Sequence, residues 1–238
     1  MISVVIPAYN EERFIARCLS CLAAQRTQQP FEVIVVDNAS TDATAAIART
    51  FSPRLRLRVI EEQRVGRGVA RQTGFRQARG SIILSTDADA EPHPEWIDDL
   101  VRVLLKRPTT VAVTGTYHIN DCGRAMNGIL NRLIRWQFHL FRIFFGYYSV
   151  AAANFAVRRT AYRRSGGFDA QYDACEDTDL SQKLQALGKI RWSPTSVLVS
   201  GRRFKGRPVR GVLEYLSPFV QKMFLGRKHL SITNVGHS

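Results

Sequence analysis

Four short apolar runs alternate with helix-spaced segments over the first 87 residues. The runs are "ISVVIP" (2–7), "FEVIVVD" (31–37), "LRLRVI" (55–60) and "GSIILSTD" (80–87). Each is rich in β-branched residues and has the length of a buried strand. Segments 11–25, 40–51 and 68–79 carry helical spacing, and Asn38, Ser40, Thr41 and Asp42 supply cap-type residues ahead of the second helix. Regular strand–helix–strand alternation lays the strands parallel and places helices on both faces of the sheet. The pattern predicts an α/β fold with a Rossmann-like, mostly parallel sheet. Further strands are expected at 110–117, 152–159 and 190–200, and helical additions at 122–150 and 208–228. No linker divides the chain. The expected organisation is one domain over 1–205, including an amphipathic insertion at about 122–150, and a basic amphipathic tail over 206–238.

Charge narrows the partners. The net charge of +14 across 238 residues calls for an anionic one: nucleic acid, an acidic membrane surface or a phosphorylated substrate. The first apolar run is short and lacks a basic leader, so no signal peptide is expected. No apolar stretch is long enough to span a bilayer either. Cys18 and Cys21 form a C-x-x-C without a second ligand pair nearby, inside a helical pattern. They are expected to be reduced, partly buried side chains of a cytosolic protein.

Parallel α/β sheets bind ligands at the carboxyl ends of their strands, and three polar clusters fall there. Pro7-Ala8-Tyr9-Asn10-Glu11-Glu12 follows the first strand, Asp37 and Asp42 the second, and Asp87 and Asp89 the fourth. Carboxylates that accept from a base N–H, with an aromatic such as Tyr9 to stack on it, would make a nucleotide site. For Asp42 alone, a loop or cap role is the simpler reading. Asp87, Asp89 and Glu91 stand on alternate positions and repel one another unless something positive lies between them. Hard oxygen ligands at this spacing suit Mg2+ or Mn2+, which also bind substrate phosphates.

The stretch from Arg64 to Arg79 holds five arginines and several glycines, but Arg71 stands where G-x-G-x-x-G needs its third glycine. Gly74, Ala78 and Gly80 read as small residues for close packing, whereas Arg67 and Arg71 are placed to face phosphates. Residues 166–180 concentrate Asp169, Asp173, Glu176, Asp177 and Asp179 in a chain with only 20 acids. A helix start accounts for one or two of them; the remainder can include a general base.

Taken together, "VVIPAYNEE", "VVDNASTD", "GVARQTG", "TDADAEPHPEW" and "GGFD…EDTDL" resemble family 2 of the glycosyltransferases, in order, from about residue 2 to residue 188. The resemblance implies a GT-A fold and sugar transfer from a nucleotide-sugar donor. It implies that Pro7, Ala8, Tyr9 and Glu11 line the nucleoside pocket and that Asp37 contacts the base, usually uracil. Arg71 would lie near the donor, Asp87 on the ribose or sugar side, and Asp89 on the metal. Gly166 and Gly167 would approach donor or acceptor, and Asp177, paired with Glu176, would be the base of an inverting transfer. Two departures stand out. The A-R-N-x-G pattern reads Ala70-Arg71-Gln72-Thr73-Gly74, and the metal-binding histidine common after the last strand is replaced by Ser200-Gly201. There, Arg202 and Arg203 would neutralise phosphate.

Two other readings remain open at this level. A sugar nucleotidyltransferase shares an α/β nucleotide site but needs a Gly-rich turn after the first strand, which "PAYNEE" lacks. A nucleic-acid-binding module fits the charge, but aspartates at three strand ends would repel phosphate, so no nucleic acid is expected as partner.

Residues 130–148 are amphipathic if helical: Leu130, Ile134, Phe138, Phe141 and Phe145 share one face, and Arg132, Arg135, His139 and Arg142 another. The tail repeats the theme with Val212, Leu216, Phe219, Val220 and Met223, and residues 201–230 hold eight Lys or Arg against one acid, Glu214. Such segments predict contact with an anionic membrane surface, a lipid-linked acceptor and a peripheral, cytoplasmic location at the inner face of the cell membrane.

Overall fold

The computed structural model describes residues 1–171, 176–205 and 210–213. Strand β1 (Ile2–Ala8) is buried on both faces, as a Val/Ile-rich run predicts for a strand inside a parallel sheet. It pairs in parallel with β2 (Phe31–Asp37) on one side and β4 (Ile82–Ser85) on the other, and β3 (Leu57–Glu61) extends the sheet beyond β2. The intervening helices are α1 (Ile15–Ala23), α2 (Thr44–Arg49) and α3 (Arg67–Gln77).

Alternation along β1 sends Val4 and Ile6 to a core shared with Ile15, Leu19 and Leu22 of α1. Val5 goes to the opposite face, with Ala70 and Phe75 of α3. Gly74 lets α3 approach that face: a Cβ there would lie 2.4 Å from Val5 Cγ1 and 2.9 Å from Val36 Cγ2. At Gly80 a Cβ would meet the backbone of Ser3 at 2.6 Å. Close packing is therefore what both glycines serve.

Beyond β4 the chain adds β5 (Ala90–Pro92), α4 (Trp96–Leu105), β6 (Thr110–His118), α5 (Arg124–Phe145), β7 (Phe155–Arg158), α6 (Arg159–Arg164), α7 (Glu176–Gln185) and β8 (Lys189–Val199). Among the described residues the sheet has eight strands in the order β3-β2-β1-β4-β7-β6-β8-β5. Strand β7 runs antiparallel between β4 and β6, and β5 antiparallel to β8, while β6 and β8 are parallel. The result is a mixed α/β domain in which β1, β2, β4 and β6 all point their carboxyl ends to the same edge. Asn154 ties the layers together: it accepts from Trp96 Nε1 at 2.8 Å and donates to the Thr116 carbonyl at 2.7 Å.

The first helix begins at Ile15 rather than 11, because the backbone before it is taken up by contacts with the loop after β2. Glu11 N donates to Thr44 Oγ1 and Glu12 N to Asp42 Oδ2. Asp42 also accepts from Thr44 N at 2.9 Å, the local turn-forming role expected of it.

Helix α5 corrects one expectation. Leu130, Ile134 and Phe141 do not face outwards; they are buried, the first two against Ile119 and Phe204. Phe138 packs on the same cluster, and Phe141 meets the Phe145 ring at 4.6 Å between centroids. Of the expected face, Phe145 stays exposed, and the other apolar side chains of this helix left in solvent form a neighbouring stripe of Ile129, Leu133, Trp136, Leu140, Ile143 and Phe144. The apolar arc of this helix is wider than one face can bury, and the core takes only part of it.

Val212, at the start of the expected tail helix, packs against the α5 cluster. The other tail positions singled out, Glu214, Leu216, Phe219, Val220 and Met223, lie outside the described residues, as do Asp173 and Cys175.

Candidate active site

The loops leaving β1 and β2 are stitched to each other. Asn10 Oδ1 accepts from Thr41 N at 2.8 Å, and Asn10 N donates to Ser40 Oγ at 3.0 Å. Asn10 and Ala39 both hold left-handed backbone, with φ of 53° and 59°. For alanine that conformation costs on the order of 1 kcal/mol, so the surrounding contacts must impose it. This edge brings Ala8, Glu11 and Asp37 into the interior while Pro7 and Tyr9 remain half-buried. Asp37 ends β2 with its Oδ1 buried and without a hydrogen-bond partner. A buried acceptor in that state costs free energy unless a ligand donor reaches it.

Each of the three alternating carboxylates after β4 has its own arginine, drawn from a different part of the chain. Asp87 Oδ1 accepts from Arg71 Nη2 at 2.5 Å, Asp89 Oδ2 lies 3.4 Å from Arg202 Nη2, and Glu91 pairs with Arg17 of α1 at 2.9 Å. The positive charge their spacing demands is therefore partly intramolecular.

Arg71 is 3% exposed and serves two acids, because its Nη1 also donates to Glu176 Oε1 at 2.6 Å. Burial works to lower its pKa, but Asp87, Glu176 and Asp177 outweigh that and hold it raised. It sits on helix α3 and is spent on carboxylates rather than turned outwards to phosphate, whereas Arg67 is exposed. Gln72, one residue on, donates to the Phe168 carbonyl at 2.7 Å. The departure from A-R-N-x-G thus anchors the loop that leads towards α7.

At the start of α7, Glu176 is buried and committed to Arg71, while Asp177 accepts only local hydrogen bonds from Thr178 N and Oγ1 among those described. Burial, and then repulsion from Glu176, push the Asp177 carboxyl up to about 6, against the pull of Arg71. Asp179 pairs with Lys183 at 2.7 Å. Of the acids on this helix, Asp177 is the one without an ion pair among the described residues.

Arg202, just after β8, donates from both terminal nitrogens to the two oxygens of Glu11, with Nη1 to Oε2 at 2.7 Å. Its guanidinium carbon stands 4.9 Å from the centre of the Phe14 ring. Arg203 follows with an exposed side chain. Gly166 and Gly167 have φ of 80° and 73°, and a Cβ on Gly167 would strike Tyr162 Oη at 2.6 Å. Left-handed backbone and close packing therefore give both glycines a structural reason. Cys18 is buried, its Sγ donating to the Asp87 carbonyl at 3.4 Å, and it is a free thiol, as is Cys21.

Burial pushes Asp89 up to about 7, with further increases from Asp87 and Glu11 that Arg202 only partly offsets. Its negative charge is thus only partly neutralised by the protein's own cations. Among the described residues no group of three His, Cys, Asp or Glu side chains is set to hold a metal ion. Asp89, with Asp87 two positions away, is a hard-oxygen donor set that fits Mg2+ or Mn2+ when substrate phosphate oxygens supply the remaining ligands.

Comparison with known proteins agrees with this architecture. The glycosyl transferase family 2 model matches residues 3–166. The probable glycosyltransferase YdaM of Bacillus subtilis is 28% identical over 211 residues, 82% of this chain and 49% of that protein. The chain spans about half or less of the length of the curated relatives it matches first. Mannosyltransferase PcManGT from Pyrobaculum calidifontis, solved with GDP-Man and Mn2+, superimposes with a TM-score of 0.68 at 26% identity, over 93% of this chain and 63% of that one. Glucosyl-3-phosphoglycerate synthase from Mycobacterium tuberculosis, solved with Mn2+, UDP and glucosyl-3-phosphoglycerate, gives 0.65 at 22% identity over 99% and 82%, and shares the fold. By its strand-end carboxylates, its fold and the span of the family match, the chain belongs to glycosyl transferase family 2.

Proposed function

We propose that this chain is an inverting glycosyltransferase that moves a sugar from a nucleoside diphosphate sugar, UDP-linked, to the hydroxyl of a lipid-linked acceptor at the inner face of a membrane. The observation that carries the reading is the gathering of Asp37, Asp87 and Asp89 at one sheet edge, with Arg71 joining Asp87 to Glu176, the neighbour of Asp177 at the start of α7. Pro7, Ala8, Tyr9 and Glu11 would frame the nucleoside, and the unpartnered Asp37 oxygen would accept from the base. Asp87 would face the ribose or sugar, and Gly166 and Gly167 would shape the loop beside it.

Transfer is then a single displacement. Asp177 takes the proton from the acceptor hydroxyl, whose oxygen bonds to the anomeric carbon as the bond to the β-phosphate oxygen breaks. The electron pair leaves with the nucleoside diphosphate, and one in-line step inverts the anomeric centre. Asp89 and Asp87 would hold Mg2+ or Mn2+, which when bound supplies charge stabilisation to the diphosphate. Arg202 and Arg203 follow Ser200-Gly201, where the resemblance would place a histidine, and would neutralise the same leaving group. Glu176 positions Arg71 and is not itself the base. The domain would be 1–205, with 206–238 a separate basic tail.

The test is release of nucleoside diphosphate from a panel of UDP-, GDP- and dTDP-sugars incubated with the protein and Mn2+. Turnover of a UDP-sugar is the expected result. Absence of turnover across the panel, with and without membrane extract as acceptor source, would contradict the reading.

A further inference from the structure

Helix α5 leaves two different faces in solvent. Advancing 100° per residue, Ile129, Leu133, Trp136, Leu140 and Ile143 recur at alternating spacings of four and three and form a single stripe, with Phe144 beside it. Trp136, Ile143 and Phe144 are 62%, 73% and 67% exposed. Arg132, Arg135, His139 and Arg142 occupy the adjoining arc, so the exposed half of the helix is apolar on one side and basic on the other. Over its 22 residues the helix has four arginines, counting Arg124, and no acid. Under the basic arc, Arg135 and His139 line a cavity of about 260 Å³ together with His118, Phe138 and Trp192, and none of the described residues lining it is a carboxylate.

We propose that this stripe, and not the Leu130–Phe141 face, docks the protein on an anionic bilayer surface. Helix α5 would lie in the plane of the interface, with Trp136, Leu140, Ile143 and Phe144 among the acyl chains and its arginines at the headgroups. Apolar stripes of this spacing also pair with copies of themselves. Here, however, a second copy would bring arginine rows together with no acid on the helix to offset them, whereas lipid phosphates complement them. The helix does not cross the bilayer, because none in the described chain is long and apolar enough. The proposal deepens the membrane placement given above and rests on that part of it alone; donor chemistry does not enter.

Sedimentation of the full chain with vesicles tests it, in neutral phosphatidylcholine and in the same lipid with phosphatidylglycerol added. Wild type is expected to bind the anionic vesicles, to bind the neutral ones weakly, and to release as salt rises. Trp136→Glu with Ile143→Glu should weaken binding by roughly tenfold or more, through lost apolar burial, while the unfolding midpoint and UDP titration stay at wild-type values. Arg132→Gln with Arg135→Gln should narrow the gap between anionic and neutral vesicles. Unchanged vesicle binding by the Trp136/Ile143 variant would overturn the proposal, as would equal wild-type binding to both vesicle types. So would a wild-type dimer in sedimentation velocity that this variant converts to monomer. Lost UDP binding with vesicle binding intact would instead count against the donor reading and leave this one standing.

Discussion

Arg202 grips Glu11 from 191 residues further along the chain, donating to both carboxylate oxygens beside the loop that leaves β1. The same guanidinium comes within 3.4 Å of Asp89. Reaching both acids, this one guanidinium leaves the site partly self-neutralised.

Arg202→Ala should therefore weaken nucleoside diphosphate binding and leave residual activity more dependent on divalent metal. Removing the guanidinium exposes Glu11 and Asp89 to each other's charge, which only a cation can then offset. Titrating Mn2+ into wild type and variant reads this directly: the variant should need more metal for half-maximal turnover and should lose all activity in EDTA. Identical metal curves would assign Arg202 to structure alone.

A second expectation concerns Arg71. Its buried guanidinium serves Asp87 and Glu176 together, and losing one partner of a buried ionic group costs about 3–5 kcal/mol. Arg71→Met should lower stability by about that amount in urea unfolding. Arg71→Lys should recover only part, since an ammonium lacks the fork that reaches both acids. A loss below about 1 kcal/mol, the worth of an exposed ion pair, would show that the acids find other compensation.

Asp177→Asn should lower transfer by about 10²–10⁴-fold while leaving nucleotide affinity unchanged, because a base acts on the acceptor and does not hold the donor. The wild-type profile follows from the carboxyl's displacement up to about 6. A base works ionised, so turnover should fall as pH drops through about 6, two units above where an ordinary aspartate would act. The same shift means that the protonated form is favoured by the fold. That contribution to stability is complete below the ordinary aspartate range and is lost as pH rises through about 6. A flat pH–rate profile from 5 to 8 would reassign the base.

Gly74→Val tests the packing of α3 on the sheet. The new side chain would press on Val5 and Val36 and should cost about 1–3 kcal/mol by overpacking, visible as a lower unfolding midpoint. An unchanged midpoint would show that α3 can shift outwards.

What the residues disclosed in advance follows from the range of the interactions involved. Strand β2 occupies 31–37 as expected, because a β-branched run is a local signal. The strand-end carboxylates were equally legible, since topology sends them all to one edge. The link from Arg71 to Glu176 spans 105 residues and that from Arg202 to Glu11 spans 191, and nothing in either local context announces its partner. Helix α5 was legible as amphipathic but not in which stripe faces inwards: apolar residues cover more than half its circumference, and periodicity alone does not choose between Leu130–Phe141 and Ile129–Ile143. Strand β5 and helices α4 and α6 were missed: β5 and α6, with three and six residues, are too short to show a period, whereas α4 carries one in Trp96, Ile97, Leu100, Val101 and Leu104.

The carboxylates at the ends of β2 and β4 are proposed to hold a nucleoside diphosphate, Asp37 through the base and Asp89 through a divalent cation. Calorimetric titration of UDP into the protein with Mn2+ measures this without knowledge of sugar or acceptor. Saturable binding is predicted for wild type, weakened at least tenfold by Asp37→Ala and by Asp89→Ala, with Asp177→Asn binding as wild type does. Wild type that binds neither UDP nor GDP under these conditions, or Asp37→Ala and Asp89→Ala variants that bind as tightly as wild type, would show that these carboxylates do not form the nucleotide site.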